Sequence, residues 1–278
     1  GKQDTEFVDG WDDLIGELKR QRVHLKLRGT VEEGACDGLE RSFISAGKLP
    51  GQPGYEEFEH LVAFGRVYAF DVATSVIARV LDGTPGAKDE ARTMLDVYRA
   101  QIEDHEAIIG DEILFDIFNT TFDHTPFQAN DPPDLKRGVT GNVSSIIQAY
   151  AAYQYVTTDE SFDPFLQRLL FGRFDPHGMK VYEGLLDRQV IAPGSPLDGL
   201  FLSRPKGHFP SVDERYAILE NNLRAHDALR LAIEVINDPA LNAKLVESYR
   251  LLHAALRREF VDRAPEDYQE AVNDNGPV

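Results

Sequence analysis

The chain has 278 residues, of which 42% are hydrophobic and 27% are charged, which is the composition of a globular protein long enough for one large domain. Its net charge of -18 disfavours nucleic acid and anionic membranes as partners, because like charges repel. Cys36 is the only cysteine, which excludes an intrachain disulfide and argues against a thiolate zinc site.

The N-terminal part of the chain contains one helix pattern and one short alternating stretch. Residues 8–20 have the apolar spacing of a helix. Val23, Leu25 and Leu27 alternate with polar residues, which indicates a short strand near residues 22–28. No apolar run approaches the roughly 20 residues that cross a bilayer, so we expect no membrane as partner. The single cysteine slightly favours a cytoplasmic location, and a removed export signal is the alternative.

Two long helices are predicted before residue 120, and a third follows them. Residues 56–82 lack a strong helix breaker and end before Gly83, a residue suited to the left-handed position after a helix. Residues 90–120 form the second predicted helix, and residues 142–156 form the third. Pro164 is expected in the first turn of a short helix, where a proline is tolerated.

A long irregular segment is predicted at residues 191–210, which are rich in proline and glycine. Long loops of this kind often serve as lids or binding segments, and we expect a lid here, with an arm that packs on another subunit as the alternative. Leu200, Phe201 and Leu202 look exposed within it. Because an exposed apolar patch needs cover, we expect a homodimer.

Two further helices are predicted near the C-terminus. The first covers residues 212–237 and begins with a capping-box pattern at Ser211. The second covers residues 240–260 and follows Asp238, a residue that caps helix starts well. The tail after residue 265 is polar, and we expect it to be frayed.

Together these elements predict an all-α fold, a multi-helix bundle of about seven or eight helices with one short strand. No stretch has the length or composition of a linker, so we expect residues 1–278 to form a single domain. The sequence has no Walker loop, Gly-x-Gly-x-x-Gly, Gly-x-Ser-x-Gly or His-Glu-x-x-His motif. Nucleotide binding, serine hydrolysis and zinc peptidase chemistry therefore lack their usual marks.

Polar residues on the first long helix suggest a metal site. Glu57 and His60 are three residues apart, so their side chains project from one side of a helix. This Glu-x-x-His spacing resembles the dinuclear iron or manganese motif of ferritin-like helical bundles. The resemblance implies that Glu57 and His60 are metal ligands. The second Glu-x-x-His of that class is missing, since residues 103–106 read Glu-Asp-His-Glu.

The second long helix places a histidine and two acids beside an apolar stripe. His105 and Glu112 are two turns apart and Asp116 follows one turn later, so the three side chains can converge on one cavity. We expect His105 and Glu112 to complete the metal site, and Glu112 and Asp116 to act as catalytic acid–base groups. Iron or manganese is the expected cofactor, and haem with an axial histidine is the alternative. The predicted function is a metal- or haem-dependent oxidoreductase acting on a small apolar or aromatic molecule.

A second interpretation assigns the same acids to ion pairs. The two helices also carry Arg66, Arg79, Arg92 and Arg99. Buried carboxylates are stabilised when they pair with such cations. The chain would then be a non-enzymatic helical ligand-binding or interaction protein. Both interpretations predict a small-molecule ligand and no nucleic acid.

Overall fold

A computed structural model describes residues 66–109, 117–119, 140–174, 176–203, 216–262, 271–273 and 276–277. Six α-helices account for most of the described residues, which confirms the predicted all-α class. In chain order they are α1 (Ala69–Asp82), α2 (Pro85–Ile109), α3 (Thr140–Thr157), α4 (Asp163–Phe171), α5 (Leu219–Val235) and α6 (Pro239–Leu256). The strand predicted near residues 22–28 lies outside the described residues, and the single domain at 1–278 stays a prediction.

Short antiparallel strands accompany the helices. They are β1 (Arg66–Tyr68), β2 (Ile117–Asn119), β3 (Arg173–Phe174), β4 (Lys180–Tyr182), β5 (Tyr216–Ile218), β6 (Ala271–Asn273) and β7 (Gly276–Pro277). β1 pairs with β2, β3 pairs with β4, and β6 lies between β5 and β7. Because β1 leads directly into α1 and β5 leads directly into α5, the strands set where these two helices begin.

Several helix ends lie where the local sequence predicts them. Asp238 caps α6, since its carboxylate accepts hydrogen bonds from the backbone N–H groups of Ala240 and Leu241 at 2.8 and 2.9 Å. Gly83 ends α1 with a φ of 73°, which lies in the left-handed region that favours glycine. Pro164 lies in the first turn of α4. Caps depend on neighbouring residues only, so these predictions are confirmed.

Three helices are predicted to be longer than they are in the structure, because a short strand stands at one end of each. The helix predicted at 56–82 begins only at Ala69, and the helix predicted at 90–120 ends at Ile109. The helix predicted at 212–237 begins only at Leu219. Among the excess residues that the structure describes, strands β1, β2 and β5 replace helix, and each pairs with a segment distant in sequence. Apolar spacing over three residues does not separate strand from helix, and only the pairing partner decides.

The C-terminal tail is paired rather than frayed at residues 271–273. β6 forms three register pairs with β5, and Val272 is fully buried against the core. The predicted frayed tail after residue 265 is therefore wrong for this strand. The polar composition of the tail gave no sign that one apolar residue, Val272, packs into the core.

The centre of the described core is the aromatic side chain of Tyr150 on α3. Its hydroxyl donates to the carbonyl oxygen of Leu95 on α2 at 2.6 Å. Its ring meets the edges of Phe162 and Phe165 at centroid distances of 5.1 Å. Complete burial raises the pKa of Tyr150 well above its ordinary value, so this hydroxyl stays protonated and keeps its role as donor.

Leu200, Phe201 and Leu202 are buried, although the sequence suggests an exposed patch. The side-chain amide of Asn222 on α5 explains their position, since it accepts from Phe201 N at 2.7 Å and donates to Phe201 O at 3.0 Å. The segment before residue 204 therefore packs into the core as a fixed element and not as a lid. The homodimer prediction loses the patch that supported it and stays a prediction.

Truncating Phe201 should destabilise the fold, whereas truncating a nearby exposed residue should not. Phe201 has 0% exposure and Ile191 has 65%. We expect Phe201→Ala to lower the free energy of unfolding by about 3–5 kcal/mol, because it leaves a cavity in the core. Ile191→Ala should change it by less than about 0.5 kcal/mol. Urea unfolding followed by circular dichroism measures both, and equal small effects would contradict the burial of Phe201.

A histidine pair joins α5 to α6. Nε2 of His226 lies 3.3 Å from Nδ1 of His253, and the ring of Tyr249 lies over His226 at a centroid distance of 4.6 Å. Burial lowers the pKa of His226, the charge of Asp227 partly offsets this, and His253 lowers the pKa further. The folded chain therefore holds His226 neutral at a pH where an unfolded histidine takes up a proton.

Acidification should destabilise the protein through this histidine. The stabilising contribution of neutral His226 is complete above the unfolded pKa of about 6.5 and is lost as the pH falls through that value towards the lowered folded pKa. Urea unfolding at a series of pH values measures this slope. We expect His226→Gln to flatten it and His177→Gln, at an exposed position, to leave it unchanged. Equal slopes for both variants would show that His226 has no such role.

Candidate functional site

Helices α1, α3 and α5 run in the same direction and begin at the same end. The amide nitrogen of Gln148 on α3 donates to the carbonyl oxygen of Arg224 on α5 at 2.8 Å, and that of Gln154 donates to Val235 O at 3.3 Å. Since residue numbers rise together on both helices, α3 and α5 are parallel. Phe70, at the start of α1, contacts Arg224, so α1 begins beside them.

Long connections reach the N-terminal end of this helix row, and short connections lie at its other end. Only two residues separate α1 from α2, and three separate α5 from α6. By contrast, residues 110–139 connect α2 to α3, and residues 204–215 precede β5 and α5. The contacts of Arg224 on α5 with Ser145 on α3 and Phe70 on α1 lie at this N-terminal end.

Arg224 connects all three helices at this end. Its Nη1 donates to Ser145 Oγ on α3 at 3.1 Å, and its guanidinium lies 4.0 Å above the ring of Phe70 on α1. Its Nη2 also donates to the carboxylate of Glu220, one turn earlier on α5, at 2.7 Å. The planar guanidinium is thus held in one orientation by an aromatic ring, a hydroxyl and a carboxylate.

Two polar atoms without partners lie on the first turns of α3 and α5. Ser144 Oγ and Asn221 Nδ2 have no hydrogen-bond partner among the described residues, and the two residues are 0% and 8% exposed. A buried polar atom without a partner costs free energy, so such atoms often mark a place where a ligand binds. We call the following residues the N-terminal cluster: Phe70, Ser144, Ser145, Glu220, Asn221 and Arg224.

Gly141 allows α3 and α5 to approach closely at the cluster. A Cβ atom at this position would overlap the side-chain oxygen of Asn221. Thr140, the first residue of α3, is held from the other side, because its backbone N–H donates to Ser203 O at 2.9 Å and Arg188 donates to its hydroxyl at 3.0 Å. The start of α3 is therefore fixed between α5 and the segment that contains Ser203.

The cluster is also electrostatically distinct from the rest of the acidic chain. Three helix N-termini meet there, and each carries a positive partial charge from its unpaired N–H groups. Arg224 adds a full positive charge, which Glu220 partly balances. The arrangement suits a ligand with several hydroxyl or carboxylate oxygens, since oxygen acceptors are what these donors require.

The sequence-predicted site residues are almost all outside the described part of the chain. Glu57, His60, Glu112 and Asp116 lie outside it, and for His105 only the helical backbone within α2 is described. Their roles as ligands and acid–base groups, and the iron, manganese or haem cofactor, stay predictions. Within the described residues, no three His, Cys, Asp or Glu side chains come together to hold a metal ion.

Two of the arginines named in the ion-pair interpretation pair with described acids, and pairing with the candidate site acids stays a prediction. Arg79 on α1 is buried and pairs with Glu90 on α2 at 3.0 Å. Arg92 pairs with Asp159, and burial alone would raise the pKa of that acid, but hydrogen bonds from Ser161 and the charge of Arg92 lower it. These contacts hold α2 against α1 and the start of α4, which is a structural role.

Sequence reasoning missed the N-terminal cluster because it placed the start of α5 too early. If the helix began at residue 212, its middle would contain Glu220, Asn221 and Arg224. These residues would then look like part of an ordinary solvent-exposed face. The available signal was Glu220 and Arg224 at four-residue spacing, but that pair is common on exposed helices. The contact with Ser145 crosses 79 residues of sequence, which no local pattern reveals.

No family model and no curated protein matches the sequence. Among the solved structures that share the fold is a sugar epimerase from a ruminal bacterium, with 12% identity, a TM-score of 0.52, and coverage of 76% of this chain and 49% of that chain. Another is an unsaturated glucuronyl hydrolase from Bacillus sp. GL1, responsible for the degradation of glycosaminoglycan. It has 14% identity and a TM-score of 0.53, and the match covers 89% of this chain and 55% of that chain. A D-mannose isomerase has 11% identity and a TM-score of 0.53, and the match covers 94% of this chain and 56% of that chain. This chain spans about half the length of these structures.

At these identities the similarity shows the fold, which is like an α/α toroid, and does not transfer residue roles. The prediction of a metal- or haem-dependent oxidoreductase is wrong, because the structures that share the fold are carbohydrate-processing enzymes. Helical periodicity and a Glu-x-x-His spacing are common to many helical folds, so they led to the wrong class. None of the described helices is both long and apolar enough to span a membrane.

A side chain at Gly141 should destabilise the fold, in contrast to one at a glycine on α2. We expect Gly141→Ala to lower the free energy of unfolding by about 1–3 kcal/mol, because the new methyl group displaces Asn221. Gly86 has open space around it, so Gly86→Ala should be neutral or stabilising by up to about 1 kcal/mol. Thermal and urea unfolding of the two variants test this. A Gly141→Ala variant as stable as Gly86→Ala would contradict the close approach of α3 and α5.

Proposed function

We propose that this chain is a carbohydrate-processing enzyme whose N-terminal cluster binds the sugar. The observation that carries the proposal is the position of Arg224 on α5, which contacts Ser145 on α3 and Phe70 on α1 at the N-terminal ends of these helices. The solved structures with this fold support it, since their names are those of a sugar epimerase, a glucuronyl hydrolase and a mannose isomerase.

The chemistry of the cluster is suited to a sugar. A sugar offers hydroxyl groups that both donate and accept hydrogen bonds, and the unpartnered Ser144 Oγ and Asn221 Nδ2 match these two needs. Arg224 is a bidentate donor that can hold two neighbouring oxygens, including those of a carboxylate on a sugar acid. A site built to pair with hydroxyl groups rejects ligands that lack them.

Two carboxylates at the same end would supply acid–base chemistry. Asp71 lies in the first turn of α1 and Glu220 in the first turn of α5, on either side of α3. Hydrolysis of a glycosidic bond requires a pair of carboxyl groups, and isomerisation or epimerisation requires a base that removes a proton from carbon. We assign Asp71 and Glu220 to these roles.

Asp71→Asn should lower the turnover rate more than it weakens binding.

Replacing Arg224 should remove sugar binding without unfolding the chain. Isothermal titration calorimetry with mannose, glucose and glucuronic acid measures binding, and proton NMR of the same mixtures detects turnover. We expect Arg224→Gln to weaken binding at least about tenfold through the loss of a charge-assisted contact. Arg230→Gln is the matched control, since Arg230 is an exposed residue on the same helix.

The pattern of results distinguishes the possible substrates. If glucuronic acid binds more tightly than glucose and the preference disappears in Arg224→Gln, the substrate is a sugar acid. If the neutral sugars bind as well, the substrate is a neutral sugar. Thermal unfolding shows whether each variant is folded. If none of the sugars binds to the intact protein, or if Arg230→Gln weakens binding as much as Arg224→Gln, the proposal is wrong.

A further inference from the structure

The two charged groups of the N-terminal cluster form one unit. Nε and Nη2 of Arg224 both donate to the same oxygen of Glu220, Oε1, at 3.2 and 2.7 Å. The remaining nitrogen, Nη1, donates to Ser145 Oγ at 3.1 Å, and the guanidinium lies on the ring of Phe70. One side of the planar guanidinium is therefore already filled by a carboxylate of the chain itself.

The guanidinium and the carboxylate both remain within reach of a ligand. The side chains of Arg224 and Glu220 are 28% and 69% exposed. Each terminal nitrogen of a guanidinium carries two N–H groups, and within the described part of the chain Nη1 and Nη2 each use one. Glu220 forms its hydrogen bonds through Oε1, which leaves Oε2 to a donor from outside. A ligand at this surface therefore meets N–H donors and a carboxylate acceptor side by side.

This combination of donors and acceptor matches a hydroxyl group better than a carboxylate. A sugar hydroxyl accepts a hydrogen bond from Arg224 and donates its own proton to Glu220 Oε2. A ligand carboxylate has acceptors only, so it can use the N–H groups but has no proton to donate to Glu220. It also brings a second negative charge close to that of Glu220, and the repulsion between them weakens its binding.

Arg224 without Glu220 would have the opposite preference. A free guanidinium holds a carboxylate through two parallel hydrogen bonds, and these are stronger than hydrogen bonds to a neutral group. Glu220 lies one turn before Arg224 on α5, so its carboxylate is always close to the guanidinium. A ligand carboxylate from solution has to displace a competitor that belongs to the same helix.

We propose that Glu220 determines the substrate class of this site by excluding sugar acids, so that the ligand is a neutral sugar. This role rests on the proposed function, because it requires that the N-terminal cluster binds the sugar. It adds a residue that selects among sugars to the residue that holds them. Because Glu220 is also assigned to acid–base chemistry, binding and not turnover is the quantity to measure.

Three ligands that differ at one carbon atom test this role. Glucose, glucuronamide and glucuronic acid carry a hydroxymethyl group, a neutral amide and an ionised carboxylate at that carbon. Isothermal titration calorimetry with the intact protein at neutral pH measures the three affinities. We expect glucose and glucuronamide to bind with affinities within about threefold of each other, and glucuronic acid to bind at least about fivefold more weakly than either.

Glu220→Gln removes the negative charge and keeps the size of the side chain. We expect it to bind glucuronic acid at least about fivefold more tightly than the wild type does, because Arg224 is released for the ligand carboxylate. The matched control is Glu234→Gln, which removes the same charge from an exposed position in the last turn of α5 and should leave all three affinities unchanged. Thermal unfolding shows whether each variant is folded.

The outcomes separate the role of Glu220 from the proposed function on which it rests. If glucuronic acid binds to the wild type as tightly as glucose, or if Glu220→Gln leaves its affinity unchanged, the role of Glu220 is overturned and the sugar site stands. An equal gain in Glu234→Gln would show a general effect of net charge, and equally weak binding of glucuronamide would show exclusion by size, and each would overturn it. If none of the sugars binds to the intact protein, the proposed function fails and this role fails with it.

Discussion

The contacts of Arg224 with Ser145 and Phe70 are the constraint on which the N-terminal cluster depends. One guanidinium contacts three helices that start far apart in sequence, and Gly141 lets two of them come close enough for those contacts. A side chain at residue 141 would displace the side chain of Asn221 and press on Arg224 Cδ, which would disturb the position of the guanidinium. The arrangement of the N-terminal cluster therefore rests on these few atoms.

The two ends of this row have opposite electrostatic character for a simple reason. Parallel helices place all their N-termini at one end and all their C-termini at the other, so their partial charges add instead of cancelling. The charged side chains follow this division only in part, since Glu160 and Glu234 lie at the C-terminal end but Glu220 lies beside Arg224 at the N-terminal end. An antiparallel bundle with the same composition would have no such difference between its two ends.

The helical class and several helix ends could be predicted from sequence because they depend on local chemistry. Asp238 before Pro239 and Gly83 after α1 act on their own neighbours, and the structure places both as predicted. The candidate site could not be predicted, because its contacts join residues from three helices. The predicted ligands, Glu57 and His105 among them, belong to parts of the chain whose side chains the structure does not describe. The spacing that suggested them is a local pattern that many folds share.

The sequence alone therefore determined the acidic surface, the helical content and those helix ends that are capped by residues next to them in sequence. Tertiary structure decided which apolar segments are buried and which short segments become strands. The difference is clear at three apolar residues that the sequence places on the surface, Leu200, Phe201 and Leu202. They are buried in the structure, where the side chain of Asn222 forms two hydrogen bonds with the backbone of Phe201. Val272 is buried for a similar reason, because β5 offers its strand an edge. Burial and strand pairing are properties of two segments together, so a pattern read along one segment cannot contain them.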